Sequence, residues 1–410
     1  MGKNELIPNL FRTEYSKIVS VLCKRYGLAN VELAEDFVSD SFLKAAETWK
    51  LKGIPENPSA WLYAVSKNNA KDYFRRNDIF KSKIASELIP KTGFETIEID
   101  LTENNIQDSQ LQMLFAVCNP INTNESQIAL ALRILCGFGI DEIANALLSN
   151  RQTINKRLYR AKEKLRTNNI DLSFPTAEAL ESRLDNVLHI LYLLFNEGYY
   201  SSTASITISK ELCFEAMRML YLLTENIKTN LPKTNALMAL FCFHASRFDA
   251  RTDQFGQQIL YDNQDKTKWN FELIAKGECY FKKSAIGNQI TKYHLETSIS
   301  FWHTRTEFDP KEKWDTILQL YNRLLQIEYS PITALNRTYA LSMAKGKEIA
   351  LTEALKIDLN HYHLYHSLLA ELYLDIDRKK QIEHLKFALS LADNEKDKNV
   401  LMDKLNKAND

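Results

Sequence analysis

Between Arg151 and Arg166 the sequence places seven lysines and arginines against a single acid, Glu163, although the 410-residue chain as a whole has a formal net charge of zero. Arg151, Lys156, Arg157, Arg160, Lys162, Lys164 and Arg166 are interleaved there with Gln152, Thr153, Asn155 and Tyr159. Cationic side chains neutralise phosphates, and amide and guanidinium groups can read base edges in the major groove. The chemistry open to this set is recognition of duplex nucleic acid.

Such side chains must be held by a helix, and the surrounding residues supply one. Ile154, Leu158, Ala161 and Leu165 recur at helical spacing and form a stripe to be buried. Arg151, Gln152, Asn155, Lys156, Tyr159, Arg160 and Lys162 lie largely off that stripe. Ser149 with Gln152 three residues later has the capping-box pattern, so the helix is expected from Asn150 onward. An apolar run over 128–135 stops at Gly137 and Gly139, and a two-turn helix follows from Ile140, carrying Ile143, Ala144 and Leu147 inward. Small Ala144 and Ala146 permit close helix approach. Two helices, a tight turn and a basic second helix make a helix-turn-helix. A basic helix alone would equally suit the solvated face of a helical hairpin; cap, turn, stripe and charge together favour DNA.

The whole chain reads as all-α. Gly 11 and Pro 9 are low counts for this length, and helical periodicity recurs nearly throughout. The length allows two or three domains. No apolar run reaches the ~20 residues a bilayer demands, and the first ten residues lack a signal-peptide core, so no membrane association and a cytoplasmic location are expected. The six cysteines are scattered without a CxxC pair and read as buried free thiols.

Ahead of the basic helix, residues 10–26 form an amphipathic helix with Phe11, Tyr15, Ile18, Val19 and Leu22 on one side, ended by Gly27. A second helix over 31–49 begins with Glu32, Glu35, Asp36 and Asp40, which suit the positive end of the helix dipole. With Leu33, Phe37, Phe42 and Leu43 as the apolar positions, those carboxylates are expected to be exposed beside Ser39, Ser41 and Lys44. After the loop 50–59, Ser59 is placed to cap a third helix from Ala60. Trp61, Leu62, Val65 and Ala70 point inward. Lys67, Asn68, Lys71, Arg75 and Arg76, interleaved with Tyr63, Tyr73 and Phe74, make a surface of cations and aromatics that suits single-stranded or melted nucleic acid.

The order of these pieces carries a resemblance. AEDFVSDSFLKAAETW (34–49), PENPSAWLYAVSKNNAKDYFRR (55–76) and TINKRLYRAKEKL (153–165) closely resemble regions 2 and 4 of the extracytoplasmic-function sigma factors of bacterial RNA polymerase. The resemblance implies region 2 over 1–80, an acidic linker over 81–109 and region 4 over 110–170. It implies docking of Glu35, Asp36, Phe37, Asp40, Phe42 and Lys44 on the clamp of the largest polymerase subunit, with the flap of the second-largest subunit as a further partner. Trp61, Lys67, Asn68, Lys71, Arg75 and Arg76 would read the melted minus-ten element. Asn150, Arg151, Gln152, Thr153, Asn155, Lys156, Arg157 and Arg160 would read the minus-thirty-five element as duplex. Gly139 stands where such proteins commonly have Ser or Thr as a cap, at a cost of only a few tenths of a kcal/mol. The linker, with six acids and only Lys91 over 87–108, could mimic nucleic acid along the RNA path or simply be solvated.

Residues 171–410 change character, with helices expected over 177–196, 209–223, 234–246 and 267–283. The segments 314–346 and 362–394 each read as helix, turn, helix, like degenerate tetratricopeptide repeats. LYLLFNEGYYSS (191–202), EAMRML (215–220), NQDKTKW (263–269) and SPITALNRTYAL (330–341) resemble the helical C-terminal extension of one sigma-factor subgroup. That resemblance implies a regulatory domain able to take a protein or ligand. His361, His363 and His366 cluster in sequence but read as surface or satisfied core, and Glu197 and Asp265 read as loop anchors among aromatics. No metal, cofactor or catalytic residue is expected, and the protein is not read as an enzyme. The competing readings are a one-component helix-turn-helix regulator with a helical sensor, and a repeat scaffold whose basic helix binds RNA or protein.

Overall fold

A computed structural model of the chain describes residues 6–85, 100, 102–147, 149–199, 206–251, 259, 261–305, 308–392 and 395–409. Among them all regular structure is helical and no strand occurs. The chain divides into two compact units, Met1–Glu197 and Gly198–Asp410.

The first unit is built on α1 (Leu6–Tyr26), whose Tyr15, Ile18, Val19 and Leu22 are buried as their spacing predicts. Gly27, at φ 87°, ends it. α2 (Val31–Lys52) and α3 (Pro58–Ala85) pack beside it. α4 (Glu103–Val117) lies along α1, where Lys24 Nζ donates to Asn105 Oδ1 at 2.7 Å and Gln110 Nε2 to Ser16 Oγ at 3.3 Å. The expected linker is therefore shorter than 81–109, because α4 already begins at Glu103; residues 86–99 lie outside the described residues.

α5 (Asn124–Leu130) runs into one wide π turn, Ala131–Leu135, and stops at Gly137 with φ 71°. Only glycine suits that position: the backbone is left-handed, and a Cβ there would lie 3.2 Å from the Tyr15 ring. α6 (Ile140–Ala146) and α7 (Arg151–Thr167) follow. α8 (Ala177–Tyr199) then folds back onto this part of the chain. Asn186 Nδ2 donates to Cys118 O at 2.6 Å and Gln127 Oε1 at 2.8 Å, and Arg183 donates to Phe115 O. The boundary expected near residue 171 is thus displaced, because α8 satisfies carbonyls of the first unit.

In the second unit α10 (Pro232–Ala245) is buried on nearly all sides, the position an all-round apolar helix must take. α9 (Ile206–Glu225) and α12 (Lys292–Thr304) pack on it, and α11 (Phe271–Ser284) approaches closely through Gly277, where a Cβ would fall 2.6 Å from the Phe243 ring. Beyond them α13 (Pro310–Ile327) pairs with α14 (Pro331–Lys345); α15 (Lys347–Ala354) leads to α16 (His363–Tyr373), which pairs with α17 (Arg378–Leu391), and α18 (Glu395–Asn409) packs on α17. Leu318, Leu335, Leu341, Leu369 and Leu372 form a continuous core through these pairs. Of the six cysteines, Cys279 is exposed and the others are buried, with Cys118 pushed up to about 12 by burial.

Candidate nucleic-acid interface and docking face

α7 buries Ile154, Leu158, Ala161 and Leu165, the stripe its spacing predicts, against α5 and α6. Its cap is Asn150 and not Ser149: the Asn150 side chain accepts from Thr153 N at 2.8 Å, while Ser149 N is spent on Ala144 O. α6 begins after Gly139, whose N–H donates to Glu142 Oε2 at 2.7 Å, so the glutamate supplies half of a capping box without a hydroxyl at the cap.

The fixed helix leaves Arg151, Gln152, Thr153, Asn155, Lys156 and Arg160 exposed, with Arg157 half-buried. Tyr159 is 63% exposed beside them. Arg151 reaches Asp141 at 3.4 Å, an exposed pair that water and salt weaken. Lys156 and Arg160 have no ion pair among the described residues.

Lys162 departs from the expected outward face. It reaches back to Glu35 Oε2 at 2.5 Å, and Arg133 Nε meets Glu35 Oε1 at 2.8 Å. The Tyr15 hydroxyl donates to the same Oε1 at 3.1 Å. Burial, with the Glu35 charge next, raises the Tyr15 phenol far above its usual range, so it stays protonated and donates. Glu35 itself is 4% exposed. The expectation of an exposed, docking Glu35 is therefore corrected: its carboxylate faces two cations that arrive from the far end of the first unit. A second link across the same seam joins Arg12 to Glu142 at 3.5 Å, with the Arg12 guanidinium over the Phe138 ring.

Of the other docking residues, Asp36, Asp40 and Lys44 are exposed on α2, while Phe37 and Phe42 are core. Phe37 packs on Tyr73 and Phe74, and Phe42 on Phe11. Ser41, expected outside, is buried and accepts from Ser66 at 2.9 Å. Leu43, expected inside, is 60% exposed. Positions 36, 40, 43, 44 and 47 share one helical face, so the α2 surface is an apolar side chain set among charges, which hydrophobicity alone misassigned. Burial, then the charges of Glu35 and Asp40, raises the Asp36 carboxyl above its usual value.

α3 starts earlier than expected. Asn57 caps it, its side chain accepting from Ala60 N at 3.0 Å, so Ser59 lies inside the first turn. Asn68, Lys71, Arg75 and Arg76 are exposed and Lys67 is half-buried. Trp61 is half-buried, edge-on to Trp49 at 5.4 Å. Of the three interleaved aromatics only Tyr73 is exposed: Phe74 stacks on Tyr26 at 4.1 Å, and Tyr63 is buried, its hydroxyl donating to Glu14 at 3.1 Å.

In the second unit Asp265 is the loop anchor expected, accepting from Thr267 N at 3.0 Å and its hydroxyl at 2.6 Å. Glu197, at the end of α8, is exposed, and what desolvation it has raises its carboxyl above the usual value. His366 is satisfied by Asn360 O at 2.9 Å and His384 Nδ1 at 3.1 Å, and His363 lies 3.3 Å from Asp397. No helix among the described residues is long and apolar enough to cross a membrane.

Comparison with known proteins bears on these surfaces. Residues 10–79 match the sigma-70 region 2 family, and residues 183–285 match a family of unknown function, DUF6596. Uncharacterized protein R00370 of Rhizobium meliloti is 31% identical over 85% of this chain and 83% of its own length. The ECF RNA polymerase sigma-E factor of Haemophilus influenzae is 28% identical over 38% of this chain and 83% of its own. RNA polymerase sigma factor YlaC of Bacillus subtilis is 24% identical over 41% of this chain and 94% of its own. No solved structure matches.

Proposed function

We propose that this chain, whose residues 10–79 match sigma-70 region 2 and which is similar over about two fifths of its length to sigma factors of Haemophilus influenzae and Bacillus subtilis, is an alternative sigma factor that directs core polymerase to promoters. In this reading it is a non-catalytic specificity subunit. The observation that carries the proposal is α7: a capped helix with a fully buried apolar stripe and an exposed face of Arg151, Gln152, Asn155, Lys156 and Arg160. That face reads the minus-thirty-five duplex. Asn68, Lys71, Arg75 and Arg76 of α3 meet the melted minus-ten strand, with Tyr73 as the stacking surface. Asp36, Asp40, Leu43 and Lys44 dock on the clamp of the largest subunit, and region 4 meets the flap of the second-largest.

The Glu35 seam ties α2 of the docking half to α7 of the DNA-reading half through one buried carboxylate. The C-terminal helices, read as repeat-like, regulate that function. In vitro transcription with core polymerase, with and without this protein, tests the proposal; a start site that appears only when both are present supports it. A one-component regulator would give a footprint without core and no new start site.

A further inference from the structure

Where α10 ends, positive charge gathers, and no carboxylate among the described residues pairs with Arg247 or Arg251. His244 lies in the last turn of α10, Arg247 just past it and Arg251 after the short turn Phe248–Ala250. Arg247 donates to the Tyr199 hydroxyl at 3.2 Å and approaches His244 Nδ1 at 3.4 Å. Arg251 lies 3.7 Å above the centre of the Tyr199 ring and donates to Tyr199 O at 3.1 Å. Across from them Lys313 reaches the Tyr261 hydroxyl at 3.2 Å, and that hydroxyl donates to His303 O at 2.5 Å. Arg305 stands nearby, held by Glu278 at 2.8 Å.

Among the described residues neither Arg247 nor Arg251 pairs with a carboxylate. The negative end of α10 offsets about half a charge, against two guanidiniums. Arg247 Nε and His303 Nδ1 are both buried without a hydrogen-bond partner. Unpaired buried polar groups and charges are costly unless something occupies them. We propose that Arg247 and Arg251, with His303 and the Tyr199 and Tyr261 rings as walls, form a binding site for a small-molecule oxyanion, a phosphate or carboxylate group. The guanidinium fork matches two oxygens at once, which an ammonium cannot do. Both imidazoles are already neutral: burial first, then Arg247 and Lys313, brings His303 down to about 3, and burial with Arg247 and Arg251 lowers His244. His303 therefore adds a hydrogen bond and leaves the charge to the arginines.

Titration of the full chain with inorganic phosphate and, separately, with succinate, read by calorimetry and thermal unfolding against sodium chloride of equal ionic strength, tests the site. Saturable binding of at least one probe is expected, weakened at least tenfold in Arg247→Gln and in Arg251→Lys. The lysine variant keeps the charge and loses the fork, so it remains informative where the glutamine variant fails to fold. Binding of phosphate alone assigns a phosphorylated ligand, and of succinate alone a carboxylate. No saturable binding of either probe, or binding undiminished in Arg251→Lys, overturns the proposal. These readouts need neither polymerase nor DNA, so failure here is distinguishable from failure of the sigma-factor reading.

Discussion

Glu35 has two cations and a phenol on its two oxygens, and removing the charge while keeping the shape isolates what they do. Glu35→Gln leaves Arg133 and Lys162 facing a neutral amide in a largely buried seam. Breaking such a pair typically costs about 3 to 5 kcal/mol, with the lower end expected here because Arg133 keeps some solvent. The variant should unfold at lower temperature, and its first unit should become more open to limited proteolysis near residues 131–139. Wild-type melting and an unchanged cleavage pattern would remove the seam from the account. His303 makes a second prediction at this scale. Its folded value of about 3 lies below the ordinary 6.5, so the folded protein holds it neutral while the unfolded chain takes up a proton. Its contribution is therefore constant above pH 6.5, and stability falls with acidification from there toward pH 3, by about 1.4 kcal/mol per pH unit for each such histidine. Arg247 and Lys313 press in the same direction, and His244 shares the behaviour. Urea unfolding of wild type and His303→Gln between pH 7.5 and 5.5 checks this: the variant should show the shallower decline, and parallel curves would contradict it.

At the scale of the element, α7 and α2 make separable predictions because each exposes one face and buries the other. Arg151→Ala and Lys156→Ala remove exposed cations from the capped end of α7. Each should weaken binding to the minus-thirty-five duplex, by about 1 to 3 kcal/mol where the contact is bidentate to a base. Loss of a phosphate contact should also flatten the salt dependence by about one unit per residue. Promoter affinity and salt slope unchanged in both variants would exclude α7 as the reader. On α2, reversing Asp36 and Asp40 to lysine should reduce pull-down by core polymerase, and Leu43→Ala should do so without altering charge. The isolated fold should be untouched, since all three side chains point away from the core. If the double reversal and Leu43→Ala both associate as wild type, this face of α2 is solvent-facing only.

For the molecule as a whole, the place where α8 docks decides how the C-terminal part can be removed. Phe174 packs edge-on to Phe115 at 5.3 Å, and Asn186 satisfies Cys118 O and Gln127. A chain ending at Leu172 loses those contacts and should melt several degrees below one ending at Glu197, since one kcal/mol shifts a domain of this size by about 2 to 4 °C. Promoter-directed transcription should then be compared between full length and the chain ending at Glu197, where the contacts of α8 with Cys118 and Gln127 are kept. A large change in either direction supports a regulatory C-terminal unit; identical activity across a promoter titration argues that it is a passenger.

Much of this is legible in the sequence wherever the physics is local. The α7 stripe, the stop at Gly137, the start of α6 and the pairing of the late helices depend on residues three or four apart, and caps and periodicity report them. Even there, cap position slipped: Asn150 and Asn57 outcompeted Ser149 and Ser59, because their carboxamide oxygens lie within reach of the first free N–H groups. What tertiary structure alone decided is non-local. An acidic helix start predicts exposure for every carboxylate in it, yet Glu35 is buried by a lysine 127 positions away and by Arg133. Leu43 moved outward and Ser41 inward because α3 covers one flank of α2 and leaves the other open. The arginines past α10 likewise meet His303, Lys313 and the Tyr261 ring only through contacts from α12, α13 and the Tyr261 turn. Charge and period set what each helix can present; the partner that meets each face follows from long-range packing, which no window of sequence contains.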